Sequence, residues 1–293
     1  MASKFSKNEL YDVEGLVVVV TGGGTGLGLI IAKTLEVNGA KVYITGRRQD
    51  RLDAAAAQAA HGNIIPIQGS VNDLDDVQRL VDTITAETGY IDLLVNNAGQ
   101  TTSDSGPNPR AMPSSESSIS EIRDYFFNHR PMEVWTKALE TNVASVFTTT
   151  MAFLELLDEG NKRRSPEKPK SQVIAIGSVA GLARGLPSFI YGASKAGVTH
   201  LMKSLGGFLV PHDIRTNVVA PGWFPSEMTT AVTEKWEATG GVMPKSVVPQ
   251  QRMGLEEEFA GTILFMASKA GGYCNGNVMV IDGGYLQNHA GSY

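Results

Sequence analysis

The fold of this chain of 293 residues is decided by the stretch Thr21-Gly22-Gly23-Gly24-Thr25-Gly26-Leu27-Gly28. The apolar residues 16–21 before the glycines have the composition of a buried strand, and residues 27–37 have the spacing of a helix. Strand, glycine turn and helix, in this order, form the context in which a G-x-x-x-G-x-G pattern binds a dinucleotide. The sequence therefore predicts a dinucleotide site in the first strand-turn-helix unit, with a merely tight turn as the alternative.

Three glycines of the turn have a place in that prediction. Gly22, Gly26 and Gly28 carry no Cβ, so backbone N–H groups and the helix N-terminus can approach a pyrophosphate. Thr25 and Leu27 lie between them and are included in the predicted cofactor site. No Gly-Lys-Ser/Thr follows, so the turn is not the phosphate-binding loop of nucleoside triphosphatases.

Outward from the turn, short apolar runs alternate with helical patterns. Strands are predicted at residues 16–21, 41–45, 64–68, 91–95, 173–176, 216–220 and 278–281. Helices are predicted at residues 27–37, 49–60, 74–88, 132–158, 191–208 and 256–267. The strands are continuous Val, Ile and Leu runs, which is typical of strands buried on both faces. We therefore predict an α/β fold with a mostly parallel, seven-stranded sheet and helices on each side, with ligands at the carboxyl ends of the strands.

Three stretches interrupt this rhythm: residues 100–131, residues 161–170 and residues 223–250. Each is followed by elements that the same sheet needs, so none is interpreted as a domain linker. The second is expected to be a charged loop, and its run Lys162-Arg163-Arg164 is interpreted as solvated rather than as a docking patch. The third carries large apolar residues that would line a substrate pocket, or would pack against the body or a subunit interface, and these interpretations stay open. These residues are Trp223, Phe224, Met228, Trp236 and Met243.

Composition excludes several classes of function. A formal net charge of −5 leaves no basic excess for nucleic acid. The single Cys allows no intramolecular disulfide, and the five His lack metal-ligand spacing, so no metal is predicted. The first strong apolar run is too short to span a bilayer, and no secretory h-region precedes it. We expect a cytoplasmic protein with no membrane partner.

The end of the second predicted strand selects the cofactor. An acid there binds the ribose 2′-OH of NAD(H), whereas a base accepts the 2′-phosphate of NADP(H). The sequence reads Ile44-Thr45-Gly46-Arg47-Arg48, with no acid. Arg47 is the natural partner of the phosphate and Arg48 assists it, which favours NADP(H) over NAD(H). The alternative is that both arginines are ordinary solvated residues.

A candidate catalytic group lies in the second half of the chain. Tyr191 and Lys195 are four residues apart at the start of a predicted helix, so they share a face. An ammonium one turn from a phenol stabilises the phenolate and lowers its pKa. Ser178 is expected to close the fifth strand, where its hydroxyl can bind a substrate oxygen.

With these motifs in order, nearly the whole chain resembles the short-chain dehydrogenase/reductase family. The residues that carry the resemblance are Thr21-Gly22-Gly23-Gly24-Thr25-Gly26-Leu27-Gly28, Asn96-Asn97-Ala98-Gly99, Asn142, Ser178, Tyr191-Gly192-Ala193-Ser194-Lys195, Pro221-Gly222 and Ile281-Asp282-Gly283-Gly284. The resemblance implies a single Rossmann-like, doubly wound domain that has a cofactor half at about residues 15–160 and a catalytic half at about 170–285. It also implies reversible hydride transfer between NADP(H) and a small carbonyl or alcohol substrate.

The resemblance assigns roles to individual residues. Tyr191 is implied as the general acid/base, Lys195 as the group that tunes it and holds the nicotinamide ribose, and Ser178 as the group that orients the substrate. Asn142 is implied to support a water in the proton relay.

Further positions correspond to the family's cofactor contacts. Asn97 and Gly99 are expected on the adenosine side, and Pro221, Gly222 and Ser226 near the nicotinamide. The complete predicted cofactor set is Gly22, Thr25, Gly26, Leu27, Gly28, Arg47, Arg48, Val71, Asn97, Ala98, Gly99, Tyr191, Lys195, Pro221, Gly222 and Ser226.

The chain departs from the family pattern at several positions. Ser70-Val71 stands where the family usually has Asp-Val near the adenine. Thr25 stands where NADP-using members often have a base, so the phosphate preference rests mostly on Arg47 and Arg48. The stretch from Gly99 to Asn142 is longer than usual.

Three further expectations complete the prediction. The apolar residues of 223–250 favour a moderately hydrophobic ketone or keto-ester. The resemblance implies a homo-oligomer, a tetramer or dimer, assembled through the two long helices at 132–158 and 191–208. The alternatives to an NADP(H)-dependent reductase are a dinucleotide-sensing binding protein on the same fold and an NAD-dependent alcohol dehydrogenase.

Overall fold

The strands of the protein form one parallel sheet. A computed structural model describes residues 3–101, 113–114, 116–128, 132–165, 167–184, 188–238, 240–289 and 291, and it has seven strands in these ranges. They are β1 (Val17–Thr21), β2 (Lys41–Gly46), β3 (Ile64–Gln68), β4 (Leu93–Asn96), β5 (Gln172–Ile176), β6 (Arg215–Pro221) and β7 (Val278–Ile281). Their order across the sheet is β3-β2-β1-β4-β5-β6-β7. Every neighbouring pair is parallel, which confirms the predicted fold class.

The helices connect these strands. They are α1 (Lys7–Leu10), α2 (Gly26–Val37), α3 (Gln49–Ala56), α4 (Leu74–Glu87), α5 (Ile119–Arg123), α6 (Met132–Leu139), α7 (Ser145–Ala152), α8 (Leu154–Arg163), α9 (Phe189–Leu209), α10 (Thr230–Glu237), α11 (Glu256–Ala267) and α12 (Tyr285–Asn288). In the described part of the chain, no helix is long and apolar enough to cross a membrane.

Burial on both faces explains the continuous valine runs. In β1, Val18 and Val20 belong to an apolar cluster that includes Ile31 of α2. Val17 and Val19 belong to a second cluster on the opposite face. Since successive strand residues point to opposite faces, both sets must be apolar. Polar chemistry is therefore confined to the ends of the strands.

The strand order reverses between β1 and β4, which places the ligand crevice there. The two strands are held together at their start by Asp92. Its backbone N–H donates to the Val17 carbonyl and its Oδ2 accepts from the Val17 N–H, both at 2.8 Å. Its Oδ1 accepts from Arg164 Nε and Nη2, also at 2.8 Å. The predicted charged loop at 161–170 is therefore wrong in part, because α8 continues to Arg163 and Arg164 is buried in this ion pair.

The single helix predicted at residues 132–158 is also wrong. The chain forms α6, then a π-helical turn at Glu140–Ala144, then α7, and it bends at Phe153 before α8. A π turn inserts one extra residue into the helical repeat, and such turns are frequent at functional sites. In this turn the Asn142 amide is bonded outside its own helix, to Gln100 and Ser194.

The two other interrupting stretches contain more regular structure than predicted. In 100–131, the described residues include α5 and a π turn at Asp124–Asn128, while 102–112, 115 and 129–131 lie outside the described residues. In 223–250, a 3₁₀ turn at Glu227–Thr229 leads into α10.

Replacing Asp92 with Asn is expected to destabilise the protein. The change leaves the Arg164 guanidinium buried without its carboxylate, which costs about 3 kcal/mol in the free energy of unfolding. Urea denaturation measures it. The matched control is Asp213→Asn, which removes an exposed ion pair with Lys170 at 3.0 Å and keeps a residue type that tolerates its φ of +57°. That control should cost under about 1 kcal/mol, and an equal effect of both variants would contradict the prediction.

Candidate active site

The glycine turn has the geometry of an anion site. Gly22 and Gly26 have φ values of +65° and +52°, which favour glycine. Thr25 is the N-cap of α2 but its side chain makes no capping hydrogen bond. The N–H groups in the first turn of α2 are therefore available to a bound anion, and the helix dipole favours negative charge there. This part of the site fits a pyrophosphate.

The end of β4 holds the turn in this conformation. Asn97 Nδ2 donates to the carbonyls of Thr21 and Gly22, both at 3.0 Å. The backbone N–H groups of Asn97 and Ala98 donate to Thr21 Oγ1 at 3.1 and 3.0 Å. Both hydrogens of the Asn97 amide are thus used within the protein, so its side chain positions the turn.

Gly99 lies beside the candidate catalytic residues. A Cβ on Gly99 would be 3.2 Å from Asn142 Oδ1 and 3.5 Å from Lys195 Nζ. Its expected place on the adenosine side of the cofactor stays a prediction.

The start of α9 brings Tyr191 and Lys195 together. Lys195 Nζ lies 5.8 Å from the centroid of the Tyr191 ring and donates to the Ile176 carbonyl at the end of β5, at 2.8 Å. The Lys195 side chain is buried, with 5% of the residue exposed. Burial disfavours the ammonium and lowers the pKa of Lys195 to about 8.

Ser178 lies beside Tyr191, although not within the strand as expected. β5 ends at Ile176, and Ser178 caps the 3₁₀ turn Val179–Gly181, where its Oγ accepts from the Ala180 N–H at 3.1 Å. Burial raises the pKa of the Tyr191 phenol, and its hydrogen bond to Ser178 opposes that shift. The phenol is therefore protonated at neutral pH in the structure as it stands.

Asn142 connects the loop after β4 to α9. Its Oδ1 accepts from the Gln100 N–H at 2.9 Å, and its Nδ2 donates to the Gln100 carbonyl at 3.0 Å and to Ser194 Oγ at 2.9 Å. The Ser194 hydroxyl donates in turn to the Tyr191 carbonyl at 2.7 Å. Asn142, Ser194 and Tyr191 thus belong to one chain of hydrogen bonds. Gln100 and Ser194 were not among the predicted site residues.

The loop after β3 is held by a carboxylate from the helix that follows it. Ser70 donates its N–H to Asp76 Oδ2 at 2.7 Å, and Asp76 belongs to α4. This hydrogen bond, with one from Arg79, lowers the pKa of Asp76. The carboxylate therefore holds the loop that carries Val71, a role that sequence reasoning missed.

The two arginines after β2 differ in their surroundings. Arg47 is exposed, and among the described residues none pairs with its guanidinium. Arg48 Nη2 lies 3.5 Å from Thr25 Oγ1 in the glycine turn and 2.8 Å from Glu227 Oε2. Sequence reasoning did not identify Glu227, which follows β6 and carries no motif of its own.

The segment after β6 returns to the glycine turn. A Cβ on Gly26 would lie 3.3 Å from Ser226 Cβ, so Ser226 faces the turn. Gly222 packs against Asp282, where a Cβ would lie 2.8 Å from its Cα. Pro221, which ends β6, Gly222 and Ser226 thus follow one strand end towards the predicted cofactor site.

The large apolar residues of 223–250 mostly pack inside the protein. Met243 is 1% exposed and joins Val179 and Tyr285 in a small apolar cluster, against which Trp223 and Trp236 pack. Two of the five residues lie apart from that cluster. Phe224 packs edge-on against Phe259 at 5.5 Å, and Met228 is exposed. The cluster begins one residue after Ser178, so it can also border a substrate.

Comparisons with known proteins agree with this geometry. The family model for short chain dehydrogenases matches residues 16–238. A short-chain dehydrogenase/reductase of Byssochlamys spectabilis, VdtF, is 47% identical over 98% of this chain and 97% of its own length. A 3-oxoacyl-[acyl-carrier-protein] reductase of rhamnolipid biosynthesis from Pseudomonas aeruginosa is 33% identical over 94% of this chain and 98% of its own length. The solved structure of Pseudomonas aeruginosa RhlG in an NADP active-site complex has a TM-score of 0.75, 33% identity, and coverage of 94% of this chain and 98% of that one.

Replacing Lys195 with Met is expected to stabilise the protein at pH 7. The pKa falls from 10.5 to about 8 on folding, which costs about 3 kcal/mol at about 1.4 kcal/mol per pH unit. The Ile176 carbonyl loses a donor in the variant, so we expect a net gain of about 2 kcal/mol. Between about pH 8 and 10.5 the unfolded state binds more protons, so wild-type stability rises with pH and the difference narrows.

Thermal and urea unfolding at several pH values measure this effect. The control is Lys203→Met, an exposed lysine on the same helix, which should change little. A Lys195→Met variant less stable than wild type at pH 7 would show that the fold stabilises the ammonium.

Proposed function

The chain belongs to the short-chain dehydrogenase family of oxidoreductases, and from this premise we propose that it is an NADP(H)-dependent carbonyl reductase. It would reduce a ketone, or oxidise a secondary alcohol, with Tyr191 as the acid/base. The observation that carries the proposal is the group at the end of β5. There burial raises the pKa of the Tyr191 phenol, an effect that the Ser178 hydroxyl opposes, and the Lys195 ammonium lies 5.8 Å from the centroid of the phenol ring.

The roles follow from the chemistry of these side chains. A bound nicotinamide supplies the hydride to the carbonyl carbon. Tyr191 gives its proton to the carbonyl oxygen, and its raised pKa keeps that proton in place at neutral pH until it is needed. Ser178 hydrogen-bonds the same oxygen and orients it. Lys195 stabilises the phenolate that remains, because an ammonium nearby favours the charged form.

Several residues would hold the cofactor. The first turn of α2 would bind the pyrophosphate, through the N–H groups that Thr25 leaves uncapped. Lys195 uses one of its three hydrogens on the Ile176 carbonyl and has two left for ribose hydroxyls. Asn142 would support a water in the proton relay, beside Gly99. These assignments rest on the placement of each group around the crevice between β1 and β4.

The preference for NADP(H) is supported by the end of β2. Arg47 and Arg48 follow β2 directly, at the place where an acid would favour NAD(H). The solved relative from Pseudomonas aeruginosa is described as an NADP complex, which agrees with that preference.

A moderately hydrophobic ketone or keto-ester is the proposed substrate. The apolar cluster of Val179, Met243 and Tyr285 lies next to Ser178 and favours an apolar substituent there. The relative from rhamnolipid biosynthesis is named a 3-oxoacyl reductase, and such a substrate carries a ketone beside an acyl chain.

A homo-oligomer is proposed on the basis of two helices. Phe147 on α7 and Phe208 on α9 are 44% and 70% exposed. Large apolar residues in such positions are typical of a surface that a second subunit covers. These are the helical regions expected to form the subunit interface.

Replacing Tyr191 with Phe is expected to lower the turnover of ketones at least about 100-fold, because the proton donor is lost. NADPH binding should change less than about twofold, since the ring remains in place. Initial rates of NADPH oxidation with a panel of keto-esters, together with fluorescence titration of NADPH, measure both quantities. Tyr273→Phe is the control, because Tyr273 is fully exposed and belongs to none of the groups described at the site. A Tyr191→Phe variant with wild-type turnover would contradict the assignment.

Replacing Arg47 with Glu is expected to weaken NADPH binding by about 10-fold or more, the value of one charge-assisted hydrogen bond. NADH binding should persist. Fluorescence titrations with both cofactors test this. The control is Lys269→Glu, the same charge change at an exposed residue just after α11. Equal losses for NADPH and NADH would contradict a phosphate-binding role.

A further inference from the structure

Glu227 forms an ion pair with Arg48, the second arginine after β2. It begins the 3₁₀ turn Glu227–Thr229, and its Oε2 lies 2.8 Å from Arg48 Nη2. Its Oε1 lies 3.8 Å from Arg51 Nη2. The pKa of Glu227 is lowered, mainly by the hydrogen bond from Arg48 and in smaller part by the charge of Arg51 and a hydrogen bond from Thr25. The carboxylate is therefore ionised at neutral pH.

These contacts lie where an adenosine ribose would have to be recognised. The Gly22 N–H donates to the Thr45 carbonyl at 2.8 Å, which holds the end of β2 beside the glycine turn. Arg48 follows β2 and lies 3.5 Å from Thr25 in that turn. In such folds an acid at this place selects the ribose 2′-OH and a base selects the 2′-phosphate. The end of β2 has no acid, but Glu227 supplies one from a distant part of the chain.

Resting on the proposed NADP(H) function, we propose that Glu227 is a cofactor-specificity residue that competes with the 2′-phosphate for Arg48. In the absence of cofactor, Glu227 neutralises the guanidinium. A 2′-phosphate can use Arg48 only when this ion pair opens. A ribose 2′-OH does not need the guanidinium, so NADH binding leaves the ion pair in place. Glu227 thus lowers the preference for NADPH over NADH that Arg47 and Arg48 create.

The ion pair between Arg48 and Glu227 is exposed and therefore weak, so a bound phosphate can compete with it. Arg48 and Glu227 side chains are 52% and 51% exposed. Exposed pairs contribute little to stability, so a ligand with a larger charge can break them. A phosphate monoester carries between one and two negative charges at neutral pH and is the stronger partner for a guanidinium. The pair therefore reduces affinity without excluding the phosphate.

Glu227 belongs to the segment after β6, so a 2′-phosphate that opens its ion pair with Arg48 would also affect how this segment is held. Ser226 faces Gly26 of the glycine turn, since its Cβ lies 3.3 Å from the place that a Cβ on Gly26 would occupy. The Thr229 hydroxyl donates to the Phe224 carbonyl at 2.7 Å, so a hydrogen bond ties the turn to the chain before it. Opening of the Arg48 ion pair frees one of the contacts that hold this segment against the cofactor site.

The test compares Glu227→Gln with the control Glu234→Gln, an exposed carboxylate of α10. Glutamine keeps the shape of the side chain and removes its charge. Fluorescence titration gives the dissociation constants of NADPH and NADH. Isothermal titration calorimetry gives those of adenosine 2′,5′-bisphosphate and of 5′-AMP, which report on the phosphate with no turnover. We expect Glu227→Gln to raise the ratio of NADPH to NADH affinity about 3- to 10-fold, equivalent to about 1 kcal/mol, and Glu234→Gln to leave it unchanged.

A second pair of variants tests the dependence on Arg48. If the competition acts through this guanidinium, Glu227→Gln should have no effect on the ratio in an Arg48→Met background. An unchanged ratio for the single Glu227→Gln variant overturns the proposal. A ratio that rises equally with and without Arg48 overturns it as well, because the carboxylate would then act on the phosphate directly. A wild-type protein that does not bind NADPH would instead refute the proposed function.

Discussion

The contact between the glycine turn and the end of β4 is the constraint on which the site depends. A Cβ on Gly22 would lie 3.0 Å from Ala98 Cα, so no larger residue fits without displacing backbone. The Asn97 side-chain amide then donates to the carbonyls of two successive residues, Thr21 and Gly22. This contact occurs where the strand order reverses, and it determines where the first turn of α2 points. The same strand end continues into Gly99, which lies beside Lys195 and Asn142. One loop thus joins the anion site to the candidate catalytic group.

The burial of Lys195 lowers the stability of the folded protein. An ammonium in the interior loses its hydration, and a single carbonyl, that of Ile176, compensates only in part. The fold tolerates the buried ammonium because Ile176 ends β5, a strand that is buried along its whole length. The surrounding sheet therefore holds the Ile176 carbonyl in place. The pKa of Lys195, near 8, keeps the ammonium sufficiently acidic to respond to nearby negative charge. A phenolate at Tyr191 would raise it again, so the two groups depend on each other's charge.

The sequence predicted most of the fold because its strands are buried on both faces. The bounds of β3, β7 and α11 agree with the predicted ranges residue for residue, and the other predicted strands and α2, α3, α4 and α9 differ by a few residues at their ends. The short helices α1, α5, α10 and α12 were not predicted. The interruption of the long helix could not be predicted, because a π turn depends on where the Asn142 amide finds its partners, and these lie 42 and 52 residues away in the chain. The roles of Asp76 and Glu227 could not be predicted from the sequence for the same reason. Each is an ordinary acid in sequence and acquires its role only from a contact across the fold.

The segment after β6 connects two kinds of recognition that sequence motifs treat separately. Its first residues face the glycine turn, Glu227 reaches the arginine after β2, and the residues that follow pack against the apolar cluster beside Ser178. One continuous stretch of chain therefore joins the surroundings of Arg48 to the apolar cluster beside Ser178. Since the stretch is held by exposed polar contacts at one end and by buried apolar contacts at the other, the polar end is the one that can open first.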